Sequence, residues 1–216
     1  MSDVACRVVV LISGRGSNLQ AIIDDSRAPD CPYAVRAVIS NRPGAAGLER
    51  ARKAGIDTLV VDHTRYAQRE AFDAALIEAI DRLGATLVVL AGFMRILTAE
   101  FVAHYARRLI NIHPSLLPRF PGLDTHARAI AEGAREHGAS VHFVTAELDG
   151  GPVIIQARVP VHPEDDADTL AARVLEQEHR ILPRAIRWFA EDRLTIEHGR
   201  VLVDGEPARE RASAPD

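Results

Sequence analysis

The chain has 216 residues, 47% hydrophobic and 26% charged, with 30 acidic side chains against 26 basic ones and a formal net charge of −4. That length holds one domain with a sizeable core, and the negative balance lacks the positive field that a general nucleic-acid binder needs. Cys6 and Cys31 are too few for a disulfide framework and show no Cys-x-x-Cys spacing. The apolar run VVVLI is too short for a signal-peptide core, and no stretch approaches the roughly 20 apolar residues of a membrane span, so the expected setting is the cytoplasm.

In chain order, the predicted strands are RVVVLI (7–12), YAVRAVIS (33–40), DTLVV (57–61), TLVVL (86–90) and RLINI (108–112). Their nearly continuous β-branched hydrophobicity suits strands buried on both faces of a parallel sheet. Helix-length segments separate them, at 18–26, 44–54, 65–83 and 98–105, and Thr98 reads as a helix start. The alternation predicts a doubly wound α/β fold, with a mostly parallel sheet and helices on both faces.

After Gly122 the pattern changes. A helix is predicted over about 124–136, then strands at 140–144 and 153–161 joined by the LDGGP turn as an antiparallel hairpin. A long helix follows from Thr169 to Asp192, with a kink expected at Pro183, and a small hairpin about His198-Gly199. Residues 1–216 read as a single domain whose tail, about 207–216, is expected to be frayed.

The segment LISGRGSNLQ leaves the first strand and opens the first helix. Glycines allow a sharp turn and close approach of a ligand, and the helix start offers free N–H groups. Position 19 is Leu19 rather than the third glycine of a dinucleotide fingerprint, and no Gly-Lys-Ser/Thr exists. The loop therefore reads either as a cradle for a single phosphate at Gly16, Ser17 and Asn18, or as a tight turn with a helix cap at Ser17 or Asn18.

At the end of the fifth strand stands Asn111-Ile112-His113, and three prolines follow by Pro121. Residues i and i+2 of a strand project to one face, so the amide and imidazole point together at the rim where open α/β sheets bind ligands. Such a pair suits a developing oxyanion, and the imidazole can also move a proton. The same residues also read as a capped strand end with a surface histidine. Asp149, in ELDGGP, offers a carboxylate that would orient the ring, in a motif that is also simply a good turn. His142 alternates with Val141 and Phe143 and reads either as facing the site or, preferably, as a satisfied strand residue, and HPEDDAD (162–168) reads as a solvated loop leading to a helix rather than a metal site.

Taken together, LISGRGSNLQAII, VVLAGFMRIL, NIHPSLLPRFPG and GASVHFVTAELDGGPVIIQ resemble the phosphoribosylglycinamide formyltransferases, folate-dependent enzymes of purine synthesis. The likeness runs in order over nearly the whole chain, to about Thr195. It implies that the amine of glycinamide ribonucleotide attacks the formyl carbon of 10-formyltetrahydrofolate, without a metal. Asn111 and His113 would stabilise the oxyanion, His113 acting as acid, and Asp149 would assist it and help relay the proton. Gly16, Ser17 and Asn18 would hold the substrate phosphate and Glu178 the ribose. Met94, Arg95, Ile96 and Leu97, with Asn111 and the run Thr145, Ala146, Glu147, Leu148 and Asp149, would border the folate, and Arg69 would meet its glutamate carboxylate. The implied partners are small molecules, for a monomer or homodimer, with neither nucleic acid nor membrane.

Two positions depart from the family pattern: Asp124 stands where a histidine is usual, and Leu175 where a polar residue is common. Methionyl-tRNA formyltransferase and formyltetrahydrofolate deformylase share the same core. Their additional C-terminal and N-terminal domains are not expected here, although the three catalytic candidates alone do not separate transferase from hydrolase. A non-catalytic mononucleotide-binding module is the reading from another class; it needs Gly16–Asn18 but not His113.

Overall fold

The computed structural model describes residues 6–207. The chain divides into two compact units, Met1–Asn111 and Ile112–Asp216, and the boundary falls inside a strand. The expected frayed tail lies outside the described residues, apart from Pro207.

The first unit alternates β1 (Cys6–Ile12), α1 (Ser17–Ser26), β2 (Tyr33–Ser40), α2 (Ala46–Lys53), β3 (Asp57–Val60), α3 (Arg69–Arg82), β4 (Leu87–Leu90) and α4 (Ala99–His104), and it contains the start of β5 (Leu109–His113). These strands are parallel and ordered β3-β2-β1-β4-β5. The order reverses between β1 and β4. With right-handed crossovers, the connections on either side of that point carry helices on opposite faces and leave a crevice at the carboxyl ends of β1 and β4. Val8 to Ile12 are fully buried, which explains their unbroken hydrophobicity. Strand β3 departs from the expectation of burial on both faces: it ends the row, and Leu59 and Val60 are exposed.

The predicted helix over 65–83 is a three-residue 3-10 turn, His63–Arg65, followed by α3. Asp62 starts the turn by accepting from the Thr64 N–H at 3.0 Å. Helix α4 starts as expected, with Thr98 Oγ1 accepting from the Phe101 N–H at 3.2 Å.

The second unit contains α5 (Thr125–Ala131), the antiparallel pair β6 (Glu136–Phe143) and β7 (Val153–Pro160), α6 (Ala167–Ala190), and a separate sheet of β8 (Leu194–Glu197), β9 (Arg200–Val203) and β10 (Glu206–Pro207). Helix α5 is shorter than predicted because Gly133 takes a positive φ of 64° and closes it. Strand β6 consequently begins at Glu136 rather than 140. Asp166 caps α6 through the Thr169 N–H at 2.7 Å, and the helix continues through Pro183. The hairpin about His198-Gly199 forms with both residues at positive φ, 49° and 76°, as a two-residue turn demands. Asp204-Gly205 repeats this geometry and adds β10, which the sequence reading omits.

Candidate active site

In the first unit, the glycine loop sits at the carboxyl end of β1. Gly16 occupies the capping position of α1 in a left-handed conformation, φ 73°, and the helix start has no side-chain cap. The alternative of a cap at Ser17 or Asn18 is therefore not what forms. The first N–H groups of a ten-residue helix have no acceptor within that helix, and its first turn contains no acidic residue, an arrangement that favours an anion. Two glycines make room for the loop. A Cβ on Gly16 would lie 2.7 Å from Gly47 Cα, and one on Gly47 would lie 2.5 Å from Ile12 Cδ1. The Gly47 N–H donates to Gly14 O at 3.0 Å, and Arg50 Nε donates to Arg15 O at 3.0 Å.

The loop after β4 lies beside it. The Ser13 N–H donates to Gly92 O at 3.1 Å, and Ser13 Oγ accepts from the Met94 N–H at 2.7 Å. Met94 and Ile96 expose large apolar side chains, 61% and 59% accessible. Asp73, buried on α3, accepts from the Thr98 N–H at 2.6 Å. Burial raises the pKa of its carboxyl, while the Thr98 hydrogen bonds and the charges of Arg69 and Arg95 pull it back. Arg69 and Arg95, expected at different parts of the folate, both act on this one carboxylate. Asn111 pairs with Leu90 at the end of β4 and is half-buried.

In the second unit, His113 and Asp149 come together. His113 is 5% exposed, with Nδ1 3.4 Å from Asp149 Oδ2. Its Nε2 lies 2.9 Å from the carbonyl of Phe120, which can only accept, so Nε2 carries a proton and Nδ1 is the atom turned to the carboxylate. Asp149 stands in the left-handed region, φ 52°, which aspartate tolerates better than most residues. Its Oδ2 also accepts from the Gly122 N–H at 2.8 Å.

The proline-rich loop after His113 has few N–H groups to give, and side chains fasten it instead. Thr125 Oγ1 donates to Pro114 O at 2.7 Å and Ser140 Oγ to Ser115 O at 2.6 Å. Gln156 Nε2 donates to Leu117 O at 2.9 Å. The Leu117–Pro118 peptide is cis. The opposing prolines and hydrogen bonds hold in place the segment whose Phe120 carbonyl and Gly122 N–H touch the pair.

His142 combines the two readings open to it. Its Nδ1 donates to Phe143 O at 2.9 Å, as a satisfied strand residue would, but its Nε2 lies 3.7 Å from Asp149 Oδ1. Burial holds its pKa down, so a neutral ring turns a lone pair towards the carboxylate. The alternation Val141-His142-Phe143 contained this signal, since His142 faces opposite to its two apolar neighbours. His126 and His137 stack edge to face at 5.1 Å, and His137 meets the Phe120 ring at 5.6 Å. Burial, followed by the neighbouring His126, pushes the His137 pKa down to about 4.

Other residues are placed as follows. Glu178 is buried on α6, and Leu175 is half-buried. Thr145, Ala146, Glu147 and Leu148 form an exposed turn, with Leu148 56% accessible. Asp124 is an exposed residue at φ 56° that opens α5. The acid-rich loop is not simply solvated: Asp165 is inserted into a two-pronged pair with Arg173 at 2.6 and 2.8 Å and accepts from the His162 N–H at 2.8 Å. These bonds hold its carboxyl far below the usual range. Among the described residues no cluster of His, Cys, Asp and Glu could hold a metal ion, and no helix is long and apolar enough to cross a membrane.

The formyl transferase domain matches residues 6–186, a span that includes β1, the glycine loop, His113, Asp149 and most of α6. The chain belongs to the formyl transferase family. Among the members of that family, the phosphoribosylglycinamide formyltransferase of Escherichia coli (strain K12) is 54% identical over 209 residues, covering 97% of this chain and 99% of that one. The trifunctional purine biosynthetic protein adenosine-3 of Homo sapiens is 43% identical over 90% of this chain, which matches 19% of that longer protein. The crystal structure of glycinamide ribonucleotide transformylase 1 from Symbiobacterium toebii superposes with a TM-score of 0.91 at 50% identity, covering 94% and 95% of the two chains.

Proposed function

We propose that this formyl transferase moves the formyl group of 10-formyltetrahydrofolate onto the amine of glycinamide ribonucleotide, a step of purine synthesis. The observation that carries the reading is the buried pair of His113 Nδ1 and Asp149 Oδ2, 3.4 Å apart, at the end of β5 in a member of this family. The names of its relatives supply the substrates.

The amine nitrogen attacks the formyl carbon, a carbon–nitrogen bond forms, and the carbonyl electron pair moves onto oxygen. Asn111 and His113 donate to that oxyanion. Because His113 Nε2 is already given to the Phe120 carbonyl, Nδ1 is the nitrogen this reading uses. The bond from carbon to folate N10 then breaks, its electron pair stays on N10, and the surplus proton of the amine passes by way of Asp149 to N10. Gly16, Ser17 and Asn18 hold the ribonucleotide phosphate, which the uncapped helix start supports. Glu178 takes the ribose. Met94, Arg95, Ile96, Leu97, Asn111 and the turn from Thr145 to Asp149 are assigned to the folate, and Arg69 to its carboxylate; the exposed apolar side chains of Met94 and Ile96 in the first unit, and of Leu148 in the second, support that assignment.

The test mixes the protein with a 10-formyl folate and follows loss of the formyl group with and without glycinamide ribonucleotide. Turnover that requires the amine supports transfer, whereas equal turnover without it identifies a hydrolase. His113→Ala addresses the remaining alternative: a binding module keeps its nucleotide affinity and has no turnover to lose, while the enzyme slows by at least about 10²–10³-fold.

A further inference from the structure

The Pro121–Gly122 peptide is held at both of its polar ends. Its N–H, on Gly122, donates to Asp149 Oδ2 at 2.8 Å. Its carbonyl, on Pro121, accepts from Arg128 Nη1 at 2.6 Å. The same Nη1 lies 3.3 Å from Leu123 O, and the guanidinium carbon stands 5.6 Å from the centre of the Phe120 ring. Phe120 in turn supplies the carbonyl that accepts from His113 Nε2 at 2.9 Å. One side chain on α5 thus grips, through Pro121, Leu123 and the Phe120 ring, the short segment that contacts both His113 and Asp149.

This segment is not self-supporting. Gly122 has a φ of 79°, and a glycine at such a position lets the preceding peptide plane turn over at small cost. With the plane inverted, the Gly122 N–H would face away from Asp149. Phe120 has a φ of 54°, a left-handed conformation that a bulky aromatic residue keeps only when its surroundings enforce it. A cation on the Pro121 carbonyl fixes the plane and also polarises it, making the N–H at its other end a stronger donor to the carboxylate. We propose that Arg128 is a positioning residue for the reaction, orienting Asp149 through the Pro121–Gly122 peptide and His113 through Phe120. The proposal rests on the formyl-transfer reading of that pair.

The experiment compares steady-state formyl transfer by the full-length protein, Arg128→Ala, Arg128→Lys and Arg119→Ala, with near-ultraviolet circular dichroism as the check on folding. Arg119 also covers the Phe120 ring, at 4.8 Å, so its replacement measures the loss of stacking alone. Arg128→Ala is expected to lower kcat about 10–100-fold, as a misplaced catalytic group does, with KM for both substrates within about threefold. Millimolar methylguanidine should restore at least about fivefold of that loss, and Arg128→Lys, which keeps a point-charge donor without the planar fork, should fall between. Arg119→Ala should stay within about threefold of the parent.

The inference is overturned if Arg128→Ala keeps kcat within about twofold of the parent. It is equally overturned if the loss is matched by Arg119→Ala and does not respond to methylguanidine. Should Arg128→Ala not fold, Arg128→Gln, with one neutral donor, takes its place under the same expectations. A parent protein that transfers no formyl group fails the functional reading instead, a result separate from any ranking of the variants.

Discussion

Asp149 shows how much chemistry one residue can contain. Its left-handed backbone, its bond from the Gly122 N–H and its contacts with two imidazoles place a carboxylate where a strand pair turns. Asp149→Asn keeps an acceptor for Gly122 and a residue at ease in that conformation, and removes the charge. The expected result is a fall in kcat of about 10²–10⁴-fold with little change in the urea midpoint, read by formyl-transfer assay and by urea denaturation. If the rate survived, proton transfer would not run through this carboxylate. The attacking group itself titrates, so the rate should fall as pH drops and the amine of the ribonucleotide protonates; a rate that stayed flat into acid would contradict amine attack. The proximity of His113 and Asp149 is expected from the family resemblance rather than from either motif alone, since one also reads as a capped strand end and the other as a turn. The direction of His142 is readable from the alternation of its strand, but its contact with Asp149 depends on what the opposite loop brings to it. Likewise Asp165 looked solvated until its partner Arg173, a turn and a half into the next helix, closed over it.

At the scale of elements, boundaries follow backbone chemistry. The strands of the first unit lie within a residue or two of their predicted positions because β-branched runs end at turn residues. The helix predicted to about 136 is too long because it runs through Gly133. Gly133 ends the helix, and Gly138 lies in a strand with no room for a side chain, a Cβ there falling 1.9 Å from Ala157 O. Gly151 is as constrained: a Cβ would lie 1.8 Å from Phe143 O, across the start of the β6–β7 pair. Gly151→Ala must therefore shift the strand ends. We expect a loss of roughly 2–4 kcal/mol, measured by urea denaturation, because backbone rather than a flexible side chain has to yield. A loss below about 0.5 kcal/mol would mean that the hairpin relaxes freely.

For the molecule as a whole, buried neutral histidines set a pH limit. His126, His137 and His142 all have pKa values held below the ordinary 6.5, chiefly by burial, and that of His137 is about 4. A histidine with a lowered folded pKa leaves the unfolded chain binding more protons below pH 6.5. Its stabilising effect is complete above 6.5, declines as pH falls, and is exhausted below the folded value. His137 alone should cost roughly 3 kcal/mol between pH 7 and pH 4, seen as a falling urea midpoint. A midpoint unchanged between pH 7 and 5 would show that these rings accept protons without unfolding. The doubly wound plan of the first unit was readable because strand–helix alternation leaves few topologies. Strand β10 was missed because its two residues have no hydrophobic pattern of their own. The close approach of Gly16 and Gly47 has a thermodynamic consequence. A loop wedged against a helix has little freedom left to surrender, so an anion arriving there meets a receptor already in shape. Capture should then show a small entropy penalty in calorimetry, with selectivity governed by the guest's size rather than by how far the chain can fold around it.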